Sequence, residues 1–318
     1  MAAGTWQDLG GLRVGDGSDL VISIPYVPTV TRQFYRLALT GGPLLPAGFV
    51  LIPAGTFQMG DQSYPLEGNI DELPVHAVQL SAFYMAKYET SQAEWDAVLT
   101  WGLANGYPDL PPGSGVAENH PVSDISWYEI VKWCNARSQK ENLTPCYTVS
   151  GAVYKIGSSP PACNWSANGY RLPTEAEWEK AARGGQSGKS FPWGGNTITH
   201  SQATYHSTTY YSYDVSPTRG YHPIFGISTA PVGSFPPNGY GLYDMAGNMW
   251  EWCWDRVGSY SASSQSDPRG STTGSDRANR GGGCDDLAEY CRVAFRGFDN
   301  PVYSYGHLGF RVARSAGP

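Results

Sequence analysis

The side chains best placed to do chemistry lie in Leu242-Tyr-Asp-Met-Ala-Gly-Asn-Met-Trp-Glu-Trp252. Asp244 and Glu251 offer hard carboxylate oxygens on either side of a glycine-containing turn, and the carbonyls of such a turn can complete a calcium shell. The same spacing equally suits a Trp-rich core corner with solvated acids. Six cysteines stand at 134, 146, 163, 253, 284 and 291. They are too few for a disulfide scaffold, and their spacings match no paired Cys-x-x-Cys zinc pattern. Cys146 and Cys163 are compatible with a disulfide in an oxidising compartment, which spacing alone leaves open. The six histidines, at 76, 120, 200, 206, 222 and 307, are scattered, and residues such as His222 read as loop or interface groups. No His-Glu-x-x-His, Walker loop or dinucleotide glycine fingerprint occurs, so metalloprotease, nucleotide and hydride-transfer chemistry lose their sequence basis.

The elements that must position these groups are short. Of the 318 residues 15 % are charged, against about 25 % in an average globular protein. Aromatics make up 13 %, and there are 39 Gly and 24 Pro. Such a composition excludes a helical bundle and suits an irregular α+β fold. The formal net charge of −7 provides no basic footprint, so nucleic acid is not expected as a partner. No apolar run approaches the ~18 residues of a membrane span, and residues 1–30 lack the basic-then-apolar order of a signal peptide. The expectation is a soluble chain without membrane insertion. Its compartment stays open, and export or surface display is compatible with it.

Along the chain, residues 1–46 read as an N-terminal β appendage or linker, with strands at Leu20–Ile24 and Phe34–Leu37, and residues 47–318 as the main domain. Three capping boxes, Ser91-Gln-Ala-Glu94, Ser126-Trp-Tyr-Glu129 and Thr174-Glu-Ala-Glu177, each predict a helix start. In each, a hydroxyl and a carboxylate three residues later satisfy free amides reciprocally. The second helix carries Trp127, Ile130, Val131 and Cys134 on one buried stripe, where Cys134 acts as a small hydrophobe. The third buries Trp178 and stops at Gly184-Gly185. Cys146–Val149 and Ala152–Ile156 read as a hairpin. Residues 184–318 read as mostly loops with short strands such as Gly309–Ala313.

The order of motifs resembles the formylglycine-generating enzyme family, also called the sulfatase-modifying-factor family. It is carried by Phe49-Val-Leu-Ile-Pro-Ala-Gly-Thr-Phe-Gln-Met-Gly60, Tyr88-Glu-Thr-Ser-Gln-Ala-Glu-Trp95, His120-Pro-Val-Ser-Asp-Ile-Ser-Trp127, Tyr170-Arg-Leu-Pro-Thr-Glu-Ala-Glu-Trp178, Phe191-Pro-Trp-Gly194, Tyr240 to Trp252, Arg280-Gly-Gly282 and Gly309-Phe-Arg311. The resemblance spans Phe49 to Arg314 and implies a variant of the C-type-lectin fold. It implies a structural Ca2+ held by Asp244, the carbonyls of Gly247 and Met249, and Glu251. A second calcium site of the family has no counterpart, because the matching stretches, Ala203–Tyr205 and Tyr221–Gly226, lack its Asn and Asp.

The family's oxidases convert a substrate cysteine to formylglycine with Cu(I) on two cysteines separated by four residues, soft metal on soft sulfur. Here Asp286 stands at the first of those positions and Cys291 at the second. Cys284 is two residues early, an offset of roughly 6–7 Å in extended chain. A second branch of the fold, the variable proteins of diversity-generating retroelements, resembles the last forty residues. Its posts are matched by Arg280-Gly-Gly282, Cys291-Arg292, Arg296, Pro301 and Gly309-Phe-Arg311. Between them lie Cys284, Asp285, Asp286, Leu287, Tyr290, Phe295, Phe298, Asp299, Tyr303, Tyr305 and His307, a mixture of rigid aromatics and small polar groups that suits a binding surface. The expected function is therefore a non-catalytic domain binding a protein or glycan at residues 283–307. The alternatives are a copper-dependent formylglycine-generating oxidase using Cys284 and Cys291, or another metal-dependent oxygenase of the family.

Overall fold

The computed structural model describes residues 46–63 and 68–317; the two strands expected before residue 40 lie outside them. In chain order the elements are β1 (Phe49–Ile52), β2 (Gly55–Met59), β3 (His76–Leu80), β4 (Phe83–Ala86), α1 (Gln92–Ala104), α2 (Trp127–Lys140), β5 (Tyr147–Val149), β6 (Ala152–Val153), β7 (Ala162–Cys163) and α3 (Glu175–Ala182). There follow β8 (Trp250–Arg256), β9 (Gln265–Ser266), β10 (Arg277–Arg280), β11 (Gly297–Asp299), β12 (Leu308–Gly309) and β13 (Ala313–Ser315). The fold is α+β with little regular structure, as the composition requires. None of the described helices is long and apolar enough to cross a membrane.

Each helix begins at its capping box. Ser91, Ser126 and Thr174 accept from the amides of Glu94, Glu129 and Glu177, whose carboxylates accept in return from the cap amides. Gly184 and Gly185, at φ +56° and +82°, turn the chain away after α3. Trp127, Ile130, Val131 and Cys134 of α2 are fully buried. They join a core in which the Trp95 and Trp133 rings stack 5.6 Å apart with Phe310 edge-on to both. A fully buried Trp removes roughly 200 Å² from water, about 5 kcal/mol of gross transfer free energy each.

The Cys146 and Cys163 thiols are free. Tyr147 is the residue opposite Cys163, which leaves Cys146 one register position out of line, and a one-residue offset sends side chains to opposite faces. The second half also contains more sheet than expected. Four of its six described strands form one sheet in the order β11-β10-β8-β12, and β8 covers Trp250-Glu-Trp-Cys-Trp-Asp-Arg256, overlapping the end of the Leu242–Trp252 stretch read as a turn or Trp-rich corner. Its first four residues are all buried, so the period-two alternation that marks a half-exposed strand is missing.

That sheet positions the site. β10 runs antiparallel to β8 with Arg280 opposite Glu251; β12 runs parallel to it with Leu308 opposite Trp250; β11 pairs with β10, Phe298 opposite Ala278. The arginines that punctuate the C-terminal motif all point inward to carboxylates. Arg280 contacts Glu175 and Glu179 at 3.1 and 2.7 Å, and Arg292 grips both oxygens of Glu72 at 2.7 Å. Arg296 grips Glu175 at 2.7 and 2.9 Å, and Arg311 grips Glu251 at 2.7 and 2.5 Å. These fixed posts anchor the segments between them, in which Asp285, Phe298, Val302, Tyr303 and His307 are exposed.

Candidate functional site

A cleft of about 280 Å³ opens where β8, β11 and the segment before β12 meet. Trp250, Tyr290 and Phe295 form an aromatic wall, with ring centroids 4.7–6.0 Å apart and planes inclined at 60–69°. Phe298, Asp299 and His307 border it, and Asn279 lines it. Phe298 is 53 % exposed. Asn279 Nδ2 donates to Asp299 Oδ2 over 2.8 Å. The Trp250 amide donates to the His307 carbonyl at 3.0 Å, tying β12 to the wall. Gly297 is what lets the indole lie here: a Cβ on it would stand 2.0 Å from Asn279 Oδ1 and 2.8 Å from the Trp250 ring.

Of the residues read as ligand-binding, the cleft gathers Tyr290, Phe295, Phe298, Asp299 and His307. Asp285 and Tyr303 are exposed beside it, and Leu287 and Tyr305 are half-buried. Phe295 is wedged into the wall and buried. Cys284 is also buried and donates to the carbonyl of Ile227 at 3.2 Å, so it faces a loop rather than a partner. The Ile227 loop that covers Cys284 was missed by sequence reading, as were Trp250 and Asn279 in the cleft; His206 bridges separately to Leu287. Trp250 reads from sequence as core; only its strand pairing brings it to the cleft.

Asp286 is the residue that the family resemblance sets against the first copper cysteine of the oxidases. Trp250 Nε1 and the Gly283 amide both donate to its Oδ2, at 2.6 and 2.9 Å. Cys291 sits fully buried among Phe191, Tyr205, Ala246 and Ala288. Burial, seconded by Asp285, pushes the Cys284 thiol up to about 12, and burial raises Cys291 well above the ordinary thiol value. The two thiols lie in different surroundings, Cys284 against the Ile227 carbonyl and Cys291 in the apolar cluster around Phe191. The histidines do not converge either. The His200 and His222 rings lie 5.2 Å apart, but His200 contacts Thr218 and the Tyr205 carbonyl, and His222 contacts the His200 carbonyl and the Ile224 amide. Among the described residues no three His, Cys, Asp or Glu side chains are grouped to hold a metal ion.

The turn before β8 has a different character. Gly247, at φ +67°, packs so closely that a Cβ would meet the Thr204 carbonyl at 2.1 Å. Asp244 Oδ2 accepts from the Gly233 amide at 2.6 Å, while its buried Oδ1 has no hydrogen-bond partner. Glu89, an acid the sequence reading did not single out, accepts at Oε2 from Asn248 over 2.6 Å and leaves Oε1 equally orphaned. Glu251 is held by Arg311 and by Trp178 Nε1 at 2.7 Å. Burial and the neighbouring acids push Glu89 well above the ordinary carboxylate range, and burial raises Asp244 to about 6. Three buried carboxylates, on Glu89, Asp244 and Glu251, thus lie in the field of the one Arg311 guanidinium, which bonds Glu251 alone among them.

Sparse regular structure on a central twisted sheet, inward arginine posts and a solvent-facing C-terminal cleft define a domain of the formylglycine-generating-enzyme and C-type-lectin-like class. The model of the sulfatase-modifying factor enzyme 1-like domain matches residues 43–316, and the chain belongs to that family. It is 36 % identical to the formylglycine-generating enzyme of Bos taurus, covering 86 % of this chain and 76 % of that one. It is 35 % identical to the formylglycine-generating enzyme of Thermomonospora curvata, covering 84 % and 93 %. Among solved structures it superposes on Treponema denticola variable protein 1 with a TM-score of 0.66 and 30 % identity, over 84 % of this chain and 94 % of the other.

Proposed function

We propose that this chain is a ligand-binding domain that presents residues 283–307 to a protein or glycan and does not oxidise cysteine. The observation that carries this reading is the Asp286 carboxylate, locked by Trp250 and Gly283 where the oxidases need a thiolate. The likeness to a protein named a variable protein supports it, as does the exposed Asp285, Phe298, Tyr303 and His307 set between buried arginine posts. The turn before β8 holds a structural Ca2+ in this reading, through Asp244, the Gly247 and Met249 carbonyls and Glu251. The orphaned Asp244 Oδ1 supports that assignment, and a carboxylate with four lone-pair positions can serve Arg311, Trp178 and a cation together.

Screening the purified chain against protein and glycan arrays tests the binding function. The expected result is a ligand whose capture survives Cys284→Ser and falls at least tenfold in Phe298→Ala and Tyr303→Ala. Capture indifferent to both aromatic variants would overturn the assignment of the face. The competing reading, a formylglycine-generating oxidase, rests on the names of relatives at 35–36 % identity. It requires a loop rearrangement that joins Cys284 to Cys291, and it predicts aldehyde formation on a sulfatase-type peptide.

A further inference from the structure

Resting on the binding reading above, we infer that the cleft accepts a cation, the guanidinium or ammonium head of a basic side chain on a protein partner. Four carboxylates lie between residues 283 and 307, on Asp285, Asp286, Glu289 and Asp299. The two arginines of that segment are buried and bound to Glu72 and Glu175. Arg296 lines the cleft, but its guanidinium is turned to Glu175 in a bidentate contact, a carboxylate it shares with Arg280. The segment therefore brings four acids against two arginines that are both ion-paired, on a chain of net charge −7, and of those acids Asp299 lines the cleft.

The wall supplies the second half of the argument. Aromatic faces attract cations through the ring quadrupole, most strongly in Trp. The Trp250 indole donates its N–H to a carboxylate, which pushes electron density into the ring and strengthens that attraction. Asp299 stands at the rim with acceptor positions beyond the one Asn279 uses. An aromatic wall capped by a carboxylate rewards a flat or compact cation and repels an anion. The volume of about 280 Å³ lies at the small end of ligand pockets, the size of one side chain rather than of an extended ligand. Exposed Tyr303, joined to His307 at the cleft through ring contacts with Tyr305, gives the rest of such a partner a surface to cover.

The test titrates the full chain with Nα-acetyl-arginine methylamide and with its neutral isostere Nα-acetyl-citrulline methylamide, following the Trp250 indole N–H by NMR. The arginine derivative is expected to saturate the shift with a Kd at least tenfold below that of citrulline, with the gap narrowing as salt rises. Asp299→Asn should erase the preference, and Phe298→Ala, at an exposed position, should weaken both ligands. Equal binding of the two derivatives, or no perturbation of Trp250 by either, overturns the inference. Array capture that still depends on Phe298 and Tyr303 would in that case leave the binding function standing, so the two failures are distinguishable.

Discussion

Trp250 Nε1 donates to Asp286 Oδ2 over 2.6 Å, joining the first residue of β8 to the segment 36 positions later in the chain. This one contact fixes the indole that walls the cleft and engages the carboxylate that the family resemblance sets against a copper cysteine of the oxidases.

Trp250→Phe removes the donor and keeps most of the ring. Asp286 is then left with the Gly283 amide as its remaining donor to Oδ2, and unpairing a largely buried carboxylate costs about 1–3 kcal/mol. Urea unfolding should show that loss, and adding Asp286→Asn to the Trp250→Phe variant should recover part of it. A variant as stable as the native chain would mean the contact holds nothing in place.

Gly297→Ala forces a methyl against Asn279 and the Trp250 ring, at 2.0 and 2.8 Å. Overpacking of this kind costs about 1–3 kcal/mol. Gly306→Ala is the control, because its Cβ would meet Asp124 at an ordinary 3.8 Å. Guanidinium unfolding midpoints should separate the two, with Gly306→Ala close to the native value.

Asp255 gives the fold a pH dependence. Burial, reinforced by the charge of Glu175, raises its pKa from 3.8 to about 8, while it accepts from the Glu175 amide at 2.8 Å. The unfolded chain releases this proton near 4 and the folded chain holds it until about 8. Stability therefore falls as pH rises between those values and levels off above. Asp255→Asn keeps the acceptor and removes the charge, so relative to the native chain it should gain ~1 kcal/mol or more between pH 5 and 8. Parallel unfolding curves at the two pH values, with no change in the difference, would contradict this. Glu175 does not confuse that window: burial opposes it, but Arg296 and Arg280 pull it down to about 2.

Local chemistry was the legible part of the sequence. A capping box needs only residues three apart, so all three helix starts were visible, and so was the buried stripe of α2. The arginine posts were visible as a pattern, though not as ion pairs, because their partners Glu72, Glu175 and Glu251 lie far away in the chain. Trp250 was illegible as a cleft residue for the same reason: its role depends on β8 pairing with β10 and β12, and β8 is buried along its first four residues, which hides its period. The burial of Cys284 is not legible in sequence, because the Ile227 loop that covers it lies far away in the chain.

Calcium should stabilise the turn before β8. Saturating a site to a hundred times its Kd adds about 2.7 kcal/mol, which for a domain of this size corresponds to roughly 5–10 °C in Tm. Addition of CaCl2 to chelator-treated protein should produce such a rise, and Asp244→Asn should abolish it. A calcium-independent Tm in the native chain would remove the site.

The central claim is that this family member binds a ligand and does not oxidise cysteine, and one assay addresses it directly. The reduced chain is incubated with Cu(I), oxygen and a Cys-x-Pro-x-Arg peptide, and the peptide is weighed by mass spectrometry. An unchanged peptide, alongside conversion by an active oxidase of the family in the same buffer, is the predicted result. Loss of mass by the thiol-to-aldehyde difference, abolished by Cys291→Ser, would contradict the account.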